Sequence, residues 1–201
     1  MITAVALGAA VIVLGACEKT NRESMDRWMD TQKGPDKLEK SLSDTSLSAD
    51  LRAHAARNLF LLEESGVRLR GTVVGALEAM AEGERQAVVG ELVRELWADA
   101  RMETELSEPS PIQASAKDAL FELRKYASGD TLQEIDDHLI DWFTGGYYSG
   151  LANRGRYRGA LIMRTIGQRA APKLLANAKS VVGAPPDKEG RQPVIEETLL
   201  V

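Results

Sequence analysis

The ionisable side chains whose spacing best suggests chemistry lie between Glu134 and Asp141. Glu134, His138 and Asp141 recur at helical spacing, so two carboxylates and one imidazole share one face of a predicted helix. Such a set is typical of a site for a divalent metal ion. It is also what the polar face of an amphipathic helix looks like, and Ile135 and Leu139 form an apolar face opposite. We favour the second interpretation and predict neither a metal nor a cofactor.

Nucleophiles and phosphate-binding loops give no further support for catalysis. His54 lies between two alanines of a predicted helix without a second ligand at helical spacing, which indicates a structural or surface role. The segment 146–150 (GYYSG) departs by one position from the G-x-S-x-G nucleophile motif, and no strand precedes it. The sequence also lacks a P-loop and a dinucleotide fingerprint. We therefore predict that the protein is not an enzyme.

The segment 142–158 (WFTGGYYSGLANRGRYR) is the one stretch that concentrates aromatic and arginine side chains. Aromatic rings next to guanidinium groups could contact a peptide, a glycan or a phosphate-bearing ligand. The alternative is that the rings hold a long glycine-rich loop against its own scaffold. The candidate binding residues are Trp142, Phe143, Tyr147, Tyr148, Arg154, Arg156, Tyr157 and Arg158.

The only cysteine of the chain, Cys17, ends an apolar run that closes with the letters LGAC. The run is shorter than the roughly 20 residues that span a bilayer and has the length of a signal-peptide core. It resembles the lipobox signal peptide of bacterial lipoproteins, although no basic residue precedes the run. The resemblance implies cleavage before Cys17 and attachment of lipid to its sulfur. Glu18 in place of the Asp of inner-membrane retention favours the outer membrane, facing the periplasm.

The chain is accordingly predicted to consist of a signal peptide (1–17), a polar tether (18–24) and a helical domain (25–201). The apolar final stretch 195–201 indicates either a helix that packs inward or a C-terminally truncated domain. A net charge of −5 disfavours nucleic acid as a partner. No second cysteine is present, so we expect the helical domain to be held by packing without a disulfide.

Apolar residues recur at three- and four-residue spacing in successive segments, and no segment alternates with period two. The pattern predicts an all-α protein with a short helix around 25–29, a helix from 35, helices over 49–64, 67–81, 84–101 and 111–127, and further helices after 130 and from 156. Ser48 and Ser110 are predicted N-caps, Ser110 forming a capping box with Gln113. Gly66 is the predicted C-terminal stop of the helix that begins after Ser48.

One pattern of small and large residues occurs twice. Its first copy is Leu51, Ala53, Ala55, Leu59, Phe60 and Leu62, and its second is Ile112, Ala114, Ala116, Leu120, Phe121 and Leu123. Together with a looser copy at 156–167, it resembles the HEAT-repeat family. The resemblance implies stacked antiparallel helical hairpins (an α-solenoid) that act through protein–protein contact. An irregular helical bundle is the alternative, because the spacing of the copies is uneven and leaves the repeat count open.

These expectations define two functional hypotheses. The first is a non-catalytic scaffold or adaptor, lipid-anchored in the bacterial envelope, that binds a protein or peptide partner through a helical-repeat surface. The second is a lipoprotein that binds a small molecule or glycan through the segment 142–158. In both, the chain meets the membrane only through its lipid.

Overall fold

The computed structural model describes residues 19–62, 66–102, 109–144 and 158–182, and no strand occurs among them. This confirms the all-α prediction. Nor does any helix in these ranges combine the length and apolarity that crossing a bilayer requires. The helices are α1 (Arg22–Trp28), α2 (Gly34–Ser43), α3 (Ala49–Leu61), α4 (Gly66–Ala79), α5 (Glu82–Ala100), α6 (Pro111–Leu123), α7 (Gly129–Thr144), α8 (Gly159–Ile166) and α9 (Ala171–Val182), with a 3-10 turn, Gly167–Arg169, before α9.

The N-terminus of α6 forms as its local sequence predicts. The Ser110 hydroxyl accepts a hydrogen bond from the Gln113 backbone N–H at 3.2 Å, and the Gln113 side chain accepts one from the Ser110 backbone N–H at 2.8 Å. Pro111 occupies the first turn, where its missing N–H costs nothing. Ser48 does precede α3, but its hydroxyl donates to the Asp50 carboxylate and makes no cap hydrogen bond. Its position was therefore predicted correctly and its role was not.

The prediction for Gly66 is wrong. Gly66 is the first residue of α4 and does not end α3, which stops at Leu61, short of the predicted residue 64. Leu62 ends that helix in an extended conformation (φ −68°, ψ 114°). The chain therefore leaves the helix without the left-handed glycine that the sequence suggested.

The predicted tether, residues 18–24, is too long, because α1 already begins at Arg22. Asn21 and Ser24 cap this helix reciprocally: the Ser24 N–H donates to Asn21 Oδ1 at 2.8 Å, and the Asn21 N–H donates to Ser24 Oγ at 3.0 Å. Ser24 is fully buried. The polar composition that indicated a tether is thus partly the composition of a capping box.

The core is built around α3, which packs against α1, α2, α4, α5 and α6. Close approach is possible because α3 buries three alanines, Ala53, Ala55 and Ala56. Leu59 in α3 and its counterpart Leu120 in α6 are both buried, so these positions of the repeated pattern face the core in each copy. The first position differs, since Leu51 is half-buried whereas Ile112 is 43% exposed. The stacking of the helices as a regular solenoid stays a prediction.

Candidate functional site

Only part of the predicted binding segment falls within the described residues, namely Trp142, Phe143 and Arg158. The remaining candidates lie outside them, as does the predicted lipidation site: Tyr147, Tyr148, Arg154, Arg156, Tyr157 and Cys17.

Trp142 and Phe143 lie in the core, 2% and 1% exposed. The Phe143 ring packs directly on the backbone of Gly159, where an added Cβ would stand 1.9 Å from the ring atom Cε2. The Trp142 ring lies 5.3 Å from the ammonium group of the buried Lys117. Both rings therefore join the end of α7 to its neighbours and offer no surface to a ligand. Trp142 and Phe143 are thus core residues, and whether they also hold the loop that follows α7 stays a prediction.

Arg158 is placed differently. It is exposed and immediately precedes α8, with its guanidinium carbon 5.8 Å from the centre of the Phe121 ring. Its backbone is left-handed (φ 65°, ψ 24°), and among the described residues it is the one non-glycine residue with a positive φ. That conformation costs an L-residue roughly 1–2 kcal/mol. It directs the chain into α8 and brings the arginine beside α6.

Arg158 lines a cavity of about 350 Å³ that involves α4, the C-terminal half of α6 and α8. We call it the basic cleft. Phe121 contributes an apolar wall and Thr165 also lines it. Its charged lining, as far as the described residues show, consists of Arg70, Asp118, Glu122, Arg124, Lys125 and Arg158.

Several charges of the basic cleft are paired. Arg70 Nη1 lies 3.7 Å from a Glu122 oxygen. Arg124 Nε donates at 2.6 Å to Asp136, a buried carboxylate of α7.

The third pair is formed by Asp118, which accepts a hydrogen bond at 2.6 Å from Lys117, 1% exposed. Lys125 and Arg158 form no salt bridge with any carboxylate of the described residues. Two positive charges of the cleft, those of Lys125 and Arg158, are therefore not neutralised by any described carboxylate.

Lys117 adds positive charge next to the cleft. Burial lowers the pKa of Lys117, the Asp118 carboxylate opposes that change, and the nearby Arg158 and Arg70 charges act in the same direction as burial. The cationic side chains around the cleft thus repel one another, and an anion placed among them would relieve that repulsion.

A second polar cluster joins α1, α3 and α5 around His54, which is 5% exposed. His54 Nδ1 lies 2.7 Å from Glu95 Oε2, and Nε2 lies 2.7 Å from Asp26 Oδ1. Arg22 approaches the other Glu95 oxygen to 2.8 Å. Burial tends to lower the pKa of His54, but the hydrogen bonds and charges of Glu95 and Asp26 outweigh it and raise the pKa. Because both ring nitrogens are engaged, the imidazole is a cross-link between three helices.

The same cluster continues through α3 toward the end of α5. Asp26 also accepts a hydrogen bond from the Asn58 amide at 3.0 Å. Arg57 donates to Asn58 Oδ1 at 2.9 Å and to both Asp99 oxygens at 2.7 Å. The planar guanidinium of Arg57 matches the geometry of the Asp99 carboxylate. The hydrogen bonds to Asp99 raise the pKa of Arg57 above its ordinary value. These side chains thus bond mainly to one another, and Glu95 Oε1, which has no hydrogen bond, is met by the Arg22 charge; this indicates a structural role.

Glu134, His138 and Asp141 of α7, the possible metal ligands, do not come together around one point. His138 stacks on Trp97 with ring centres 4.3 Å apart and planes 12° apart, and Glu134 stands 3.5 Å from its Nε2. Burial lowers the pKa of His138, against the opposing effect of Glu134. Asp141 is paired with Lys173 of α9. In the part of the chain that the structure describes, no group of three or more His, Cys, Asp or Glu side chains could hold a metal ion.

Comparison of the chain with protein-family models, with curated proteins and with solved structures finds no match.

Proposed function

We propose that the chain is a non-catalytic, lipid-anchored binding protein of the bacterial envelope, whose helical domain recruits a protein or peptide partner. The observation that supports this role is the basic cleft, because packed helices hold it open and its Lys125 and Arg158 have no ion-pair partner among the described residues. Preformed cavities of this kind are common recognition sites in proteins. The resemblance to HEAT repeats supports a protein partner.

The anchor would act by restricting the domain to a surface. Each buried methylene of an acyl chain contributes about 0.8 kcal/mol, so the several chains expected on Cys17 would make attachment lasting. Confinement to two dimensions raises the effective concentration of the domain near envelope partners. The LGAC ending of the apolar run supports this part of the proposal.

The two parts can be tested separately. Metabolic labelling with a palmitate analogue should mark the wild-type protein and not Cys17→Ser; equal labelling of both would rule out the anchor. For the partner, in-cell cross-linking should capture the same protein with wild type and with Arg94→Ala, a change on the exposed side of α5. The capture should be lost when Lys125 and Arg158 are both replaced by Glu. A capture that survives the double replacement would exclude the cleft as the recruiting surface.

The second candidate function is a lipoprotein that binds a small molecule or glycan through the segment 142–158. The specific observation in its favour is that Arg158, the last residue of the segment, lines the cleft. The cavity of about 350 Å³ also lies within the ~300–1,000 Å³ typical of small-molecule sites. If this function is correct, the purified protein will bind its ligand without any protein partner.

A further inference from the structure

We propose that the basic cleft binds the phosphate group of a phosphomonoester. The inference rests on the second candidate function and names its ligand chemistry.

The charge that remains at the cleft defines the class of ligand. Arg70, Arg124 and Asp118 are each paired, whereas Lys125 and Arg158 have no carboxylate partner among the described residues. A phosphomonoester carries about −1.5 to −2 charges near neutral pH, which matches these two cations. A single carboxylate would neutralise only one of them. A neutral sugar would neutralise neither.

The shape of the cleft fits a phosphate with a small organic group attached. The two cations that no described carboxylate neutralises come from different elements, Lys125 from the turn after α6 and Arg158 from the residue before α8. The Arg158 guanidinium carbon lies over the Phe121 ring at 5.8 Å from its centre, and this cation–π contact uses none of the N–H groups that could donate to phosphate oxygens. The remaining volume, bordered by the Phe121 ring, can take the organic part of the ligand.

The backbone at Arg158 supports a requirement for this side chain. A left-handed conformation is easy for glycine and unfavourable for arginine. The next residue, Gly159, has a steric reason to be glycine, because an added Cβ there would meet the Phe143 ring. Unfavourable conformations of this kind are retained at sites where the side chain has a role. Arginine thus occupies a position where the backbone conformation alone would favour glycine.

At Arg158 the backbone conformation favours glycine whereas phosphate binding requires arginine, so replacing this residue by glycine should affect stability and binding differently. The full chain, purified in a nonionic detergent, is titrated calorimetrically with glycerol 3-phosphate, with acetate and with glycerol. We expect binding of glycerol 3-phosphate at least about tenfold tighter than that of acetate, and none of glycerol. Arg158→Gly should weaken phosphate binding about tenfold or more while leaving the melting temperature unchanged or raised. The matched control Arg94→Ala should bind as the wild type does.

Each other result has one meaning. Equal affinity for acetate and glycerol 3-phosphate, or binding that Arg158→Gly leaves unchanged, would overturn the phosphate assignment. A neutral glycan that binds in place of glycerol 3-phosphate would overturn it as well, while keeping the second candidate function. If Arg158→Gly weakens binding only because it unfolds the protein, its melting temperature will fall. Arg158→Lys then serves as the second variant, because it keeps the positive charge and loses the paired N–H donors of the guanidinium. Undiminished phosphate binding by this variant would contradict the role of the Arg158 guanidinium.

The phosphate can belong to a soluble metabolite or to a lipid headgroup, and a competition separates the two. Phosphatidic acid is added to the detergent micelles while glycerol 3-phosphate is bound. Inorganic phosphate is added in a parallel titration. If phosphatidic acid displaces the ligand at concentrations far below those that inorganic phosphate requires, the source is a lipid headgroup. Displacement by the two at similar concentrations identifies a soluble ligand. Both results support binding of a phosphate group. If neither phosphatidic acid nor inorganic phosphate displaces glycerol 3-phosphate, the proposal is refuted.

Discussion

Replacing His54 by Gln tests whether the carboxylates of α1 and α5 are held together by a protonated imidazole. His54 lies 2.7 Å from both Asp26 and Glu95, so the substitution leaves these two carboxylates without the cation between them. Removing one partner of a buried ion pair typically costs about 3–5 kcal/mol. Asp26 is 54% exposed and Glu95 keeps Arg22 at 2.8 Å, so we expect a smaller loss of about 2 kcal/mol near pH 6.

The pH dependence of that loss follows from the direction of the pKa shift. The pKa of His54 is raised above its ordinary value of 6.5, because Glu95 and Asp26 outweigh the effect of burial. The folded protein therefore binds this proton more tightly than the unfolded chain does. Its contribution to stability is fully present below about pH 6.5 and disappears as pH rises through the folded pKa. The difference in stability between wild type and His54→Gln should therefore shrink toward high pH.

Urea unfolding followed by tryptophan fluorescence, from about pH 5 to about pH 9, measures this difference. His138→Gln is the matched control, because burial lowers the pKa of His138 and so reverses the sign. The contribution of His138 should become more favourable as pH rises toward 6.5. A wild-type advantage over His54→Gln that stays constant or grows with pH would refute the reasoning.

Four further substitutions probe the packing and the helix ends. Gly159→Ala should destabilise the protein by about 1–3 kcal/mol or more, because the new Cβ meets the Phe143 ring at 1.9 Å; an unchanged melting temperature would contradict that contact. Ser110→Ala should cost about 1 kcal/mol and Ser48→Ala less, because only Ser110 makes a cap hydrogen bond; equal losses in chemical denaturation would show the difference to be irrelevant. Leu120→Ala should cost about 2–5 kcal/mol in the same assay, and a loss under about 1 kcal/mol would mean that the α6 core is loosely packed.

Features that depend on residues close in sequence could be predicted without the structure. Apolar spacing indicated helices and no strands, because helical periodicity is a local property of the chain. The capping box at Ser110 followed from residues three positions apart, and the buried faces of Ala55 and Leu59 followed from their spacing along one helix. Gly66 marks the limit of such reasoning, since glycine suits both a helix end and a helix start.

The candidate site depends on contacts between distant parts of the chain, and only the tertiary structure decided it. The two carboxylates that contact His54 belong to residues 28 and 41 positions away in the sequence, so no local pattern could indicate them. Composition placed Trp142 and Arg158 in one binding segment, but the first is buried and the second lines the cleft. Arg70 reaches that cleft from α4. The sequence by itself determined which segments are helices, because helix formation depends on neighbours along the chain; which charges meet, and which stay unpaired, depended on how the helices pack.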